Sequence, residues 1–334
     1  MMHPMPAFSV LDLVPVREGG TVSQAFEEAT KLASHAEALG CKRFWVAEHH
    51  TMDGIAGGAT SVVLAHIGNA TSRIRIVSGG IMLPNHTPFQ IAEQCGTLDA
   101  LFPGRIDLGL GRAPGAGPEL QRALRKDLHA ASEYFPQDVL ELRALMTGDV
   151  ELPIKATPGL GSNVEFWMLG SSLFGAQLAA KLGMPYAFAA HFAPDHLDGA
   201  LEVYRRDFQP SETLERPHVM VAMNVFAAET EEEAQTLSSS QQQSFVALRS
   251  GAPGKLPPPI EGYTETLPAP ARAMLDHLGQ AAAVGTPSKV RDDIERFVKR
   301  TSADEIILCG AAFDPEARLR SLELTTQACQ TIAA

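Results

Sequence analysis

Residues 74–111 read IRIVSGGIMLPNHTPFQIAEQCGTLDALFPGRIDLGLG. An apolar run (74–83), a helix-like run (88–104) and a second apolar run (105–111) follow one another. Pro88 stands at the start of the helical run, where its missing N–H costs nothing, and Gly104 lies past its end. Both flanking runs are near-continuously apolar, as parallel strands covered on both faces are. Parallel strands need a crossover, and the helical run supplies one. The stretch therefore predicts a βαβ unit.

Working outward, the same unit recurs. FSVLDLVPV (8–16), RFWVAEHH (43–50), VEFWMLG (164–170), PYAFAAHF (185–192), HVMVAMNVFAA (218–228) and EIILCGAAF (305–313) read as further strands. Helical spacing separates them, as in 21–40, where Val22, Phe26, Ala29, Leu32, Ala33, Ala36 and Leu39 fall on one face and Gly40 stops the run. Other helical runs cover 59–72, 118–148 with a break at Pro136, 173–183, 195–208, the acid-led start of 230–251, 285–300 and 316–328. Eight βα units predict a single (β/α)8 TIM-barrel domain over 1–334. The alternative is an open doubly wound sheet. The rhythm breaks at GAPGKLPPPIEGYTETLPAPARAM (251–274), which reads as a Pro/Gly-rich insertion loop between strands seven and eight. Long loops of this kind are lids, binding loops or disordered segments.

The bulk numbers narrow the function. The chain has 334 residues, 45% of them apolar, enough for a large core. A net charge of -12 with no Lys/Arg-rich run argues against a nucleic-acid or anionic-membrane surface. Cys41, Cys95, Cys309 and Cys329 are widely spaced, without C-x-x-C, and read as reduced residues of a cytoplasmic protein. MMHPMPAFSV lacks the basic and apolar regions of a signal peptide, and no run reaches transmembrane length.

In a barrel the C-terminal strand ends open onto one face, and that face carries the chemistry. There the sequence places Glu48, His49 and His50; Gly79, Gly80, Asn85 and His86; Arg112; Gly170, Ser171 and Ser172; His191; and Asn224. GLGRAPG (109–115) is not a dinucleotide fingerprint, because Pro114 takes the last glycine position. What it offers is an arginine on a glycine-flanked turn, suited to a bidentate grip on phosphate, or to a structural salt bridge. GSS (170–172) opens a helix and can bind an anion or serve as a plain N-cap. Adjacent histidines on a strand point to opposite faces, so His49 and His50 do not easily share a metal ion. H-E-x-x-H and G-x-S-x-G are both absent, which speaks against a zinc protease and a serine hydrolase.

These stretches together carry a resemblance. SVLDLVPVREGG, RFWVAEHHTMDGIAGGATSV, SGGIMLPNHTPFQIAEQCGTLDALFPGRIDLGLGRAPG, MLGSSLFGAQLAAKLGMPYAFAAHFAP, VGTPSKV and DPEARLRSLEL span nearly the whole chain. The chain resembles the bacterial luciferase-like flavin-dependent monooxygenases, in the branch of luciferase-family oxidoreductases of group 1 type. The resemblance implies a barrel holding reduced FMN, or in some branches F420, across its C-terminal face. It assigns Arg112 and Ser172, with Ser171 and Gly170, to the flavin phosphate. It places a non-proline cis peptide at Gly79–Gly80 beneath the flavin ring. His49 matches a histidine implicated in catalysis, Glu48 before it is counted among the cofactor-binding residues, and His191 is a second acid/base candidate. A separate NAD(P)H:FMN reductase, O2 and a small organic substrate are the implied partners, and relatives commonly form homodimers through helices near strands two and three. Ser171 stands where luciferase has a glutamate, Gly175 where it has a threonine and Gly111 where it has a cysteine. Those departures bear on the aldehyde-and-light reaction, not on flavin binding. The competing readings are an F420-dependent hydride transferase and a flavin-binding protein without turnover.

Overall fold

The computed structural model describes residues 5–113, 118–150 and 152–330. Nine strands form: β1 (Ala7–Asp12), β2 (Arg43–Val46), β3 (Arg75–Met82), β4 (Ile106–Gly111), β5 (Glu165–Gly170), β6 (Tyr186–Phe188), β7 (Val219–Ala227), β8 (Ala282–Gly285) and β9 (Glu305–Cys309). Helices α1 (Val22–Ala38), α2 (Thr60–Ala70), α3 (Pro88–Leu101), α4 (Pro118–Leu124), α5 (Leu128–Glu133), α6 (Phe135–Thr147), α7 (Leu173–Leu182) and α8 (Leu197–Asp207) link the first seven. After β7 come α9 (Glu231–Arg249), α10 (Tyr263–Thr266), α11 (Ala269–Leu278), α12 (Pro287–Thr301) and finally α13 (Pro315–Gln330).

β1 pairs in parallel with β2 and β9, β9 with β7, and β7 with β6, so eight strands close into a ring. The fold is the expected (β/α)8 barrel, with one addition. β8 pairs with Asn224–Ala227 of β7 outside the ring, in a stretch the sequence reading left without a strand. Strand boundaries also differ. β1 stops at Asp12, because Val14 takes a left-handed backbone and Pro15 follows. Val14 and Val16 are nevertheless buried, as rim residues rather than strand residues. β2, β6 and β9 likewise end before the rim segments 47–50, 189–192 and 310–313. The premise that strand alternation sends His49 and His50 to opposite faces fails for the same reason: both lie beyond β2.

Side chains alternate along each strand, and the inward set forms the barrel interior. Trp45 and Trp167 meet edge to face there, centroids 5.8 Å apart, among Leu11, Val77, Met220 and Ile307. Below them the N-terminal end is closed by charge. Arg43, 2% exposed, donates to Asp107 (2.7 Å), Glu305 (2.7 Å) and Glu165 (3.1 Å), and stacks 4.7 Å from the Trp167 ring. Arg75 holds the other side of Asp107, and Lys42 approaches Glu305 at 3.5 Å. Three cations thus face three carboxylates. Toward the C-terminal ends Ala47, Gly79 and Ala222 are small, while Leu13 and Leu169 pack onto the tryptophan layer. The barrel is plugged below.

Residues 250–262 cross the rim beside β1. The Leu256 amide donates to the Val16 carbonyl (2.9 Å), and the Glu18 amide donates to the Leu256 carbonyl (2.8 Å). Gly54 and Gly254 lie backbone to backbone: a Cβ on Gly54 would sit 2.1 Å from the Gly254 oxygen. From α9, Ser239 accepts the Ile260 amide (2.8 Å) and Gln243 donates to the Pro258 carbonyl (2.9 Å). The rest of 251–274 includes α10 and the start of α11, so it is partly helical.

Candidate active site

Glu48 organises the mouth after β2. Its carboxylate is 2% exposed. Oε1 lies 2.7 Å from His50 Nε2, 2.8 Å from His86 Nε2 and 3.4 Å from Asn85 Nδ2, and Oε2 accepts the Met82 amide at 3.0 Å. Burial alone would raise its pKa. The bonds and charge of His86, then His50 and the Met82 amide, outweigh burial and hold it below the ordinary carboxylate value. Glu48 is therefore an ionised anchor whose oxygens are engaged by the protein itself. His86 and Asn85, noted in sequence only as rim residues, turn out to be its partners.

His49 lies next to this anchor. Burial lowers its pKa; Glu48 opposes that shift and His50 adds to it. His191, after β6, is driven to about 4, first by burial and then by His49. The two imidazoles are thus close enough to feel each other's charge, and both are neutral at pH 7. His191 Nδ1 is buried without a hydrogen-bond partner. Trp45 Nε1 and Trp167 Nε1, in the barrel interior, are in the same condition.

The Gly79–Gly80 peptide in β3 is cis, as the resemblance implied. Neither glycine has room for a side chain. A Cβ on Gly79 would fall 2.9 Å from Trp45 Cβ, and one on Gly80 2.8 Å from the Gly109 oxygen. The bare backbone packs directly on the tryptophan plug.

Across the mouth, Arg112 follows β4. Its guanidinium stacks 4.0 Å above the Phe174 ring in the first turn of α7. No salt bridge engages Arg112 among the described residues. Ser172 is the N-cap of α7 in extended conformation, yet its side chain makes no capping hydrogen bond. Gly170 packs against Gly175, so the strand end and helix start are in contact. Arg112, Gln121, His129, Ser132, Phe174 and the carboxylate of Glu133 line an open cleft. Among the described residues, Arg112 without a salt bridge and Ser172 without a capping bond thus stand at the start of α7. The sequence-assigned residues thus form two groups: the Glu48–His49–His191 side, and the Arg112–Ser171–Ser172 side. The sequence reading missed Gln241, which joins Asn224 at the rim (2.6 Å) from within a run of serines and glutamines that carries no apolar signal. Four free cysteines are buried, no group of ligating side chains suits a metal, and no helix could cross a membrane, all among the described residues.

Comparison with known proteins shows the family. The model of the luciferase-like monooxygenases matches residues 6–305. A luciferase-like monooxygenase of Escherichia coli (strain K12) is 46% identical over 319 residues, covering 95% of each chain. An N-acetyl-S-alkylcysteine monooxygenase of Bacillus subtilis (strain 168) is 33% identical over 303 residues, covering 88% of this chain and 89% of that one. The crystal structure of apo-MsnO8 superposes with a TM-score of 0.86 at 33% identity, covering 97% of this chain and 98% of that one. The chain belongs to the luciferase-like, flavin-dependent monooxygenase family, oxidoreductases that incorporate molecular oxygen.

Proposed function

We propose that the protein oxygenates a small organic substrate using O2 and reduced FMN delivered by a separate NAD(P)H:FMN reductase. The observation that carries this reading is Arg112, unpaired and stacked on Phe174 at the uncapped start of α7. That donor set fits a flavin phosphate, and the bare Gly79–Gly80 surface fits a planar ring. Arg112, Ser171, Ser172 and the first amides of α7, with Gly170 leaving the approach open, would hold the phosphate. Bound reduced FMN supplies two electrons and the site at which O2 is activated.

The protein's own part is positioning and proton transfer. His49, neutral at pH 7, accepts a proton from substrate or returns one, and His191 shares its pocket. Glu48 serves the cofactor face indirectly, fixing His50 and His86 through its carboxylate. The charge-closed base and tryptophan plug keep water from entering from below. A first substrate panel starts from S-alkylcysteine derivatives, the compounds named for the B. subtilis relative. Val62 and Leu101, 70% and 59% exposed on α2 and α3, support a homodimer through those helices.

The test is anaerobic binding of reduced FMN and of F420 to the wild-type protein and Arg112→Ala. Losing a charged phosphate contact costs about 1.5–3 kcal/mol, so Kd for FMN is expected to rise roughly 10- to 150-fold. Binding of F420 without FMN would replace oxygenation by hydride transfer as the reading. No binding of either would leave a fold without its cofactor.

A further inference from the structure

Three rim segments meet behind His191 through side-chain amides. Asn224 Nδ2, on β7, donates to the His191 main-chain carbonyl at 2.8 Å. Gln241 Nε2, on α9, donates to Asn224 Oδ1 at 2.6 Å. Gln241 Oε1 accepts the Ala311 amide, just after β9, at 2.7 Å. The relay begins at a backbone N–H and ends at a backbone carbonyl, so its polarity is fixed, and each amide has one orientation that satisfies both neighbours. The helix carrying Gln241 is also unusual. Its middle reads SSSQQQS (238–244), and Ser238, Ser239 and Ser240 are buried where a packing helix carries apolar side chains. At the far end of the relay stands the imidazole whose Nδ1 is buried and unpartnered.

We propose that Asn224 and Gln241 are positioning residues: through the His191 carbonyl they fix where its imidazole stands beside His49, locking the segments after β6 and β9 to α9. This rests on the reading of His191 as an active-site group.

Asn224→Asp is the discriminating variant. Aspartate keeps the shape of asparagine, but its carboxylate cannot donate to the His191 carbonyl, whereas the protonated acid can. Burial holds that acid form to a higher pH than usual. The ionisable groups facing the position are His191, His49 beyond it, and Cys309, Asn224's register partner on β9, which burial keeps as a thiol. At this turn α9 brings only Ser and Gln side chains.

Flavin-free protein labelled with 15N-histidine is titrated by NMR between about pH 5 and 8, with His191→Asn identifying the His191 signals. In Asn224→Asp those signals are expected to match the wild type at the acid end and to depart reversibly as the carboxyl ionises. In Gln241→Met, which keeps the volume and removes both bonds, they are expected to differ at every pH. Thermal unfolding checks that each variant is folded; should Asn224→Asp fail to fold, Gln241→Met decides. Wild-type His191 signals in the folded variants would overturn the proposal, since a space-filling role predicts no change from an isosteric aspartate. Because flavin is absent, this outcome is independent of the Arg112 binding test.

Discussion

Arg43→Ala is expected to lower the free energy of unfolding by about 3–5 kcal/mol. Arg43 is the hub of the base: it donates to Asp107, Glu165 and Glu305, of which Asp107 and Glu305 have no side-chain exposure. Removing it takes from Glu305 its closest cation and from Asp107 one of two, and the desolvation of Glu305 then goes largely uncompensated. Arg75 and Lys42 remain, but neither reaches both acids. The Trp167 ring loses its stacked partner as well. Urea denaturation of the two proteins measures the difference. A shift under about 1 kcal/mol would mean that water or Lys42 fills the gap, and that the cluster is an exposed ion pair in energetic terms.

His49→Asn is expected to cut turnover about 100- to 10,000-fold, the range for losing a positioned acid/base group, while leaving reduced-flavin affinity within a few-fold. Substrate-dependent oxygen uptake and anaerobic flavin titration separate the two. The pH profile has a definite sign. His49 titrates below the ordinary imidazole value, so its base form outweighs the protonated form at pH 6.5. The acid limb in kcat/KM therefore lies below about 6.5 in the wild type and is absent from the residual activity of the variant. Unchanged turnover in His49→Asn would transfer the proton-handling role to His191.

The barrel was legible because parallel strands under helices are apolar on both faces, and the 74–111 unit repeats that signature. What misled was the same signal. Val14 and Val16 are as buried as strand residues without belonging to β1, so hydrophobicity alone extended the strand into the rim. β8 escaped because Ala282–Gly285 is four small residues between two helical runs, ordered by pairing with β7 rather than by its own propensity. Arg112, Ser172 and His49 could be placed at the rim from sequence because each follows a strand end. Gln241 could not. A helix reading SSSQQQS looks like a solvated face, and only the closure of β7 against β9 brings Asn224 and Ala311 to it.

The segment 250–262 is held over the rim almost wholly by its own main chain: the amide and carbonyl of Leu256, the amide of Ile260, the carbonyl of Pro258 and the bare backbone of Gly254. Its path is thereby uncoupled from most of its side chains. Substitutions at Pro257, Pro259 or Glu261 leave every one of those contacts standing. The strap is a place where a sequence can drift, or be redesigned, without retuning the scaffold beneath.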